Sequence, residues 1–76
     1  MQPAIRKQIA DAIKREHTGA QVSWSGEARI ITLHVLMSDH SSEYILSIDN
    51  DYVHDARDIK TLTADILDGL RDYGYN

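Results

Sequence analysis

Cysteine and phenylalanine are absent from these 76 residues, and proline occurs once. Without cysteine there is no disulfide staple, no Cys-based zinc site and no thiolate nucleophile, so packing, alone or with self-association, must hold the fold. A chain of this size buries only about 60% of the surface it exposes when unfolded, which keeps its stability modest. Lack of cysteine also suits a reducing compartment, and the cytoplasm is the expected location. No run approaches the ~20 apolar residues of a membrane span. The opening MQPAIRKQIADAIKREH alternates charge with single apolar residues and lacks the continuous apolar core of a signal peptide. Neither repeats nor low-complexity segments occur, so residues 1–76 read as one small domain with no membrane partner.

Signs of chemistry are equally scarce. The serines (Ser23, Ser25, Ser38, Ser41, Ser42, Ser47) sit in turns and strands without a nucleophile-elbow motif, and no glycine-rich turn opens a helix to cradle phosphate. Carboxylates abound, but a general acid needs burial to raise its pKa, and these read as solvent-facing. No catalytic residue, cofactor or metal is therefore expected. The histidines His17, His34, His40 and His54 form no i, i+4 pair and no His-x-His pair. Asp49, Asp51 and Asp55 resemble the start of a calcium loop. Val53 stands where a ligand is wanted, His54 where the sharp turn needs glycine, and Lys60 where the bidentate glutamate belongs.

What the chain does have is a strong central stretch and an uneven charge. The run ARIITLHVLM (28–37) reads as a strand with Ile31, Leu33, Val35 and Met37 on one face and Ile30, Thr32, His34 and Leu36 on the other. Both faces are apolar enough to be partly covered, as in the middle strand of a sheet. Before it, Ala20, Val22 and Trp24 alternate with Gln21, Ser23 and Ser25, and Ser25-Gly26 reads as the turn of an antiparallel hairpin. After the loop SDHSS (38–42), Glu43 to Asp49 returns as a third strand, with Tyr44, Leu46 and Ile48 on one side.

Helices flank these strands. Pro3 suits a first helical position, and Ile5, Ile9, Ala12 and Ile13 follow within a ~100° arc, giving a helix over 3–17 with Gly19 as its cap. A membrane-surface helix has the same pattern, but this apolar face lacks Trp and Phe and its polar face mixes signs, so packing on the sheet is the reading. Residues 50–58 fit a loop, a helical turn or a short strand. From Asp58 to about Tyr73, a second helix carries Ile59, Leu62, Ile66, Leu67, Leu70 and Tyr73 on one stripe, while Gly69 in its interior costs up to about 1 kcal/mol against alanine. The fold class is thus α+β: an α-β-β-β-α two-layer sandwich, a three-stranded antiparallel meander with two helices packed on one face.

That element order is also the order of double-stranded RNA-binding domains, which it resembles at the level of fold. Those domains grip phosphates with basic residues at the start of the last helix, whereas here that helix starts with Asp55 and Asp58. No motif identifies a family. Net charge is −4, divided as +2 over residues 1–37 and −6 over 38–76. An acidic surface attracts basic partners and repels phosphates, although it also serves plain solubility.

Elimination and charge lead to a functional expectation: a non-catalytic protein–protein interaction module. Its build is that of phage- or plasmid-encoded inhibitors, including anti-CRISPR proteins, with an acidic helix face occupying a basic, nucleic-acid-binding surface of a protein partner. The candidate residues are Asp58, Asp65, Asp68 and Asp72, which share one strip of the second helix, joined by Asp49, Asp51 and Asp55 at its N-terminal end. A second candidate surface, for a partner or a homodimer, is the outer sheet face: Ile30, Thr32, His34 and Leu36, with Ile45 and Ser47. The alternative is a double-stranded-RNA-binding-like domain using Arg6, Lys7, Lys14 and Arg15 of the first helix; otherwise nucleic acid is not the expected partner. Trp24 and Tyr44 are assigned to the core, and the tail from Tyr73 to Asn76 is expected to fray.

Overall fold

A computed structural model describes residues 1–27, 29–37 and 43–73, without the side chain of Glu27. Its elements are α1 (Pro3–Glu16), β1 (Gln21–Glu27), β2 (Ile30–Leu36), β3 (Tyr44–Asp49), a 3₁₀ turn (Asn50–Tyr52) and α2 (Ala56–Asp72). The three strands form one antiparallel sheet in the order β1-β2-β3, a meander with β2 in the middle. This is the α+β fold read from the periodicities. The loop at 38–42, with His40, and the tail at 74–76 lie outside the described residues.

Both helices cover the same face of the sheet. Ile9 and Ile13 of α1, Ile66 and Leu70 of α2, and Leu33 and Val35 of β2 are all fully buried in one cluster that also takes in Ile48 and Ala20. Truncating any of the six to alanine or smaller is the kind of change that costs about 2–5 kcal/mol, a large part of a small domain's stability. Trp24 and Tyr44, assigned to the core, border it instead as half-buried residues.

Local chemistry sets the boundaries. Pro3 opens α1, and no side chain caps that end, which suits a residue with no N–H to satisfy. The chain leaves α1 through His17 and Thr18 to Gly19, whose φ of 91° only glycine adopts without strain. The first hairpin differs from its expected form. Ser25 and Gly26 are paired within the ladder, Ser25↔Thr32 and Gly26↔Ile31, and pairing continues to Glu27↔Ile30, so they are strand residues and not the turn. Gly26 keeps a positive φ of 90° inside β1, where a Cβ would stand 2.5 Å from the carbonyl oxygen of Ile30. The open stretch 50–58 resolves into the 3₁₀ turn followed by the cap of α2.

Candidate functional site

The carboxylates of the expected acidic strip divide into those that build the fold and those that do not. Asp55 is the N-cap of α2: its Oδ1 accepts the N–H of Asp58 at 3.0 Å, and Asp58 Oδ2 accepts the N–H of His54 at 2.9 Å. That is a near-reciprocal cap, using both groups on orphan amides. Asp49 Oδ1 accepts the N–H of Asp51 at 2.9 Å, and its Oδ2 lies 3.3 Å from Arg29, whose Nε is also 3.3 Å from Asp51. The hydrogen bond from the Asp51 N–H, helped by Arg29, holds the Asp49 carboxyl below its ordinary value. Of the three residues that resemble a calcium loop, Asp49 and Asp51 thus already share a cation, the guanidinium of Arg29, and Asp55 is committed to the cap of α2. Asp68 pairs with Arg71 at 2.7 Å, and Arg71 reaches Glu16 of α1, also at 2.7 Å.

Asp65 and Asp72 remain. Both are exposed, and neither makes a hydrogen bond or ion pair among the described residues. With Asp58 they are spaced seven residues apart, about 10 Å along the axis per step, on the wall of α2 that looks toward β3. Asp72 is close enough to Tyr44 to add to the burial that pushes the tyrosine's pKa up. Tyr44 in turn lies against Gly69, where a Cβ would land on its hydroxyl, and meets Tyr73 edge to face with ring centroids 5.7 Å apart.

Between α2 and β3 runs a cleft of about 410 Å³. One wall is β3 from Leu46 to Asp49; the other is Arg57, Asp58, Thr61, Leu62 and Asp65 of α2; Tyr52 and Val53 close one end. Leu46, Ile48, Val53 and Leu62 make it apolar inside, three aspartates rim it against one arginine, and Tyr52 is 77% exposed at its mouth. An apolar floor with a few convergent charges and an exposed tyrosine is the usual composition of a binding surface. The aspartates were legible in the sequence as a strip; Leu46, Tyr52, Thr61 and Leu62 were not, because their meeting depends on how α2 lies along β3.

The outer sheet face is more polar than its central strand suggests. Ile30 is 46% exposed and Ile45 58% exposed, but the register sets the Thr32–Ser47 row between them. His34 bonds Ser25 Oγ through Nε2 at 2.6 Å, and its Nδ1 lies 3.5 Å from Glu43. Hydroxyl, imidazole and carboxylate in that order form the skeleton of a nucleophile relay. Such a relay also needs a substrate seat and an oxyanion donor. None of the three clefts described reaches these residues, and the N–H groups of β2 are committed to strands on both sides. As built, the trio gives a half-buried histidine polar company.

The basic residues of α1 do not converge. At about 100° per residue, Arg6, Lys14, Lys7 and Arg15 spread over half the helix circumference. Lys7 is tied to Asp11 at 3.1 Å, and Arg15 borders a cleft of about 450 Å³ between the helices with Lys60. His17 is buried at 4% exposure with no partner for Nε2 among the described residues, while His54 is exposed. No group of three His, Cys, Asp or Glu among the described residues is placed to hold a metal ion. No described helix is long and apolar enough to cross a membrane. Comparison with known proteins gives no match to a family model, a curated protein or a solved structure.

Proposed function

We propose that this chain is a non-catalytic protein-interaction module that docks a basic surface of a partner protein through the acidic wall of α2. One observation carries the reading: Asp65 and Asp72 stand exposed on that wall without an ion-pair or hydrogen-bond partner among the described residues, while Asp49, Asp55, Asp58 and Asp68 are engaged in caps and ion pairs. Two uncompensated carboxylates on one helix, one of them next to the dipole's negative end, gain nothing from folding. A basic partner supplies the missing counter-charge. Proteins whose basic surfaces hold nucleic acid are the natural targets, which is how an acidic inhibitor of phage or plasmid type would act, and a cysteine-free chain suits the cytoplasm where they work.

The test is a pull-down from the native host with the wild type and with the Asp65→Asn/Asp72→Asn variant, followed by association kinetics on the protein retained. Association should slow by several-fold in the variant, and the difference should shrink as salt rises. Nucleic acid should compete with the module for the partner. Equal association rates for both proteins at every salt concentration would show the strip to be a solvated face only.

A further inference from the structure

We propose that the free edge of β3 and the neighbouring cleft form a single docking site that takes an extended, basic segment of a partner protein as a fourth strand of the sheet. This rests on the reading of Asp65 and Asp72 as partner-facing charges and adds the form of what they face.

Backbone parity comes first. The N–H of Asn50 donates to the carbonyl of Arg29 at 2.7 Å, and the register places Arg29 opposite Asn50. In an antiparallel ladder, hydrogen-bonded pairs alternate with non-bonded ones, so 48, 46 and 44 also turn their amides to β2. Ile45 and Ser47 therefore turn theirs outward. Two N–H and two C=O groups are open on that edge, and no backbone bond to them exists among the described residues. Edge strands are commonly blunted by a proline, a lysine or a bulge; β3, YILSID, has none of these.

Side-chain parity gives the partner's chemistry. Leu46 and Ile48 face the cleft, while Ile45 and Ser47 face the outer side. An added strand alternates in the same way. Its cleft-side residues pass over Leu62 toward Asp65, a path that a lysine or arginine fits with its stem on the leucine and its charge at the carboxylate. Residues on the opposite face lie beside Ile45 and are best apolar. A second copy of this chain, pairing β3 to β3, would bring two acid-rimmed clefts together, so charge favours a basic partner segment over self-pairing.

The probe is a fluorescent seven-residue peptide of alternating lysine and valine, with a glutamate–valine counterpart and two versions N-methylated at alternate amides. Amide exchange in the free protein should be fast at Ile45 and Ser47 and become protected on adding the lysine–valine peptide. One methylated version, whose blocked amides face β3, should bind about tenfold more weakly, and the other should bind as the parent does. Ser47→Pro should produce a similar loss without unfolding, since its N–H points away from the sheet; should that variant unfold, the methylated peptides test the same bond on the wild type. The proposal is overturned if the lysine–valine peptide does not bind, or binds no better than the glutamate–valine one. It is also overturned if both methylated versions bind equally, in which case a loss in Asp65→Asn/Asp72→Asn leaves the acidic wall as a docking face without strand addition. Concentration-dependent protection of Ile45 and Ser47 without peptide assigns the edge to a second copy, and overturns it too.

Discussion

Gly69 lies inside α2, where alanine is favoured by about 1 kcal/mol on propensity alone. The hydroxyl and ring of Tyr44 occupy the place of a Cβ there, with the ring carbon bearing the hydroxyl 3.1 Å from the position a Cβ would take. Tyr44 is held in turn by its edge contact with Tyr73, whose hydroxyl reaches the Glu43 carbonyl at 3.5 Å. Overpacking of this kind costs about 1–3 kcal/mol, so Gly69→Ala should destabilise the protein despite the better helix former. In a Tyr44→Ala background the same change should instead stabilise by up to about 1 kcal/mol. Urea denaturation of the four proteins reads the reversal of sign; a stabilising Gly69→Ala in the wild type would mean that the Tyr44 ring moves aside freely. The sequence displays the glycine as a local cost, but its cause comes from a different element and is invisible to any helical wheel.

At the scale of elements, what periodicity carries was readable and what depends on pairing was not. Ile9 and Ile13, or Ile66 and Leu70, recur at helical spacing, and Ile31, Leu33 and Val35 alternate, so the buried face of each element followed from the string. Gly26 misled because glycine marks a positive φ in a turn and in a strand alike, and only the register decides between them. Likewise the strip of aspartates was visible, but which of them close caps was not. The connection from β3 to α2 depends on Asp49, which turns the chain through the Asp51 N–H and binds Arg29, the residue before β2. Its carboxyl is held below the ordinary 3.8, so the folded state favours the ionised form. That contribution is present above about pH 4, where the unfolded carboxyl is ionised, and is lost as pH falls through the lower folded value. Asp49→Asn should therefore lower the melting temperature near neutrality and flatten its fall below about pH 4. A variant whose melting temperature keeps the wild-type slope on acidification would remove Asp49 from the account.

At the scale of the whole molecule, the accessible surface is 4978 Å², and a standard interface takes about 800 Å² from each partner, roughly a sixth of it. A partner of ordinary size seated on the edge of β3 thus covers the cleft and part of the outer sheet face together. Ile45 and Ile30 separate this arrangement from a dimer built on the outer face. Ile45 lies on the edge strand beside the cleft, whereas Ile30 lies on β2, across the Thr32–Ser47 row and next to Asp49. Ile45→Ser and Ile30→Ser each alter a side chain that is already about half exposed, so both should leave the fold within about 0.5 kcal/mol of the wild type. If the partner straddles the β3 edge, Ile45→Ser should weaken binding of the lysine–valine peptide about fivefold, the loss of roughly 1 kcal/mol of apolar contact, and Ile30→Ser should leave it unchanged. A dimer through the outer face behaves differently: sedimentation of the wild type would then show association, and both substitutions would shift it toward the monomer. Equal loss of peptide binding in the two variants would place the contact over the middle of the sheet and away from its edge.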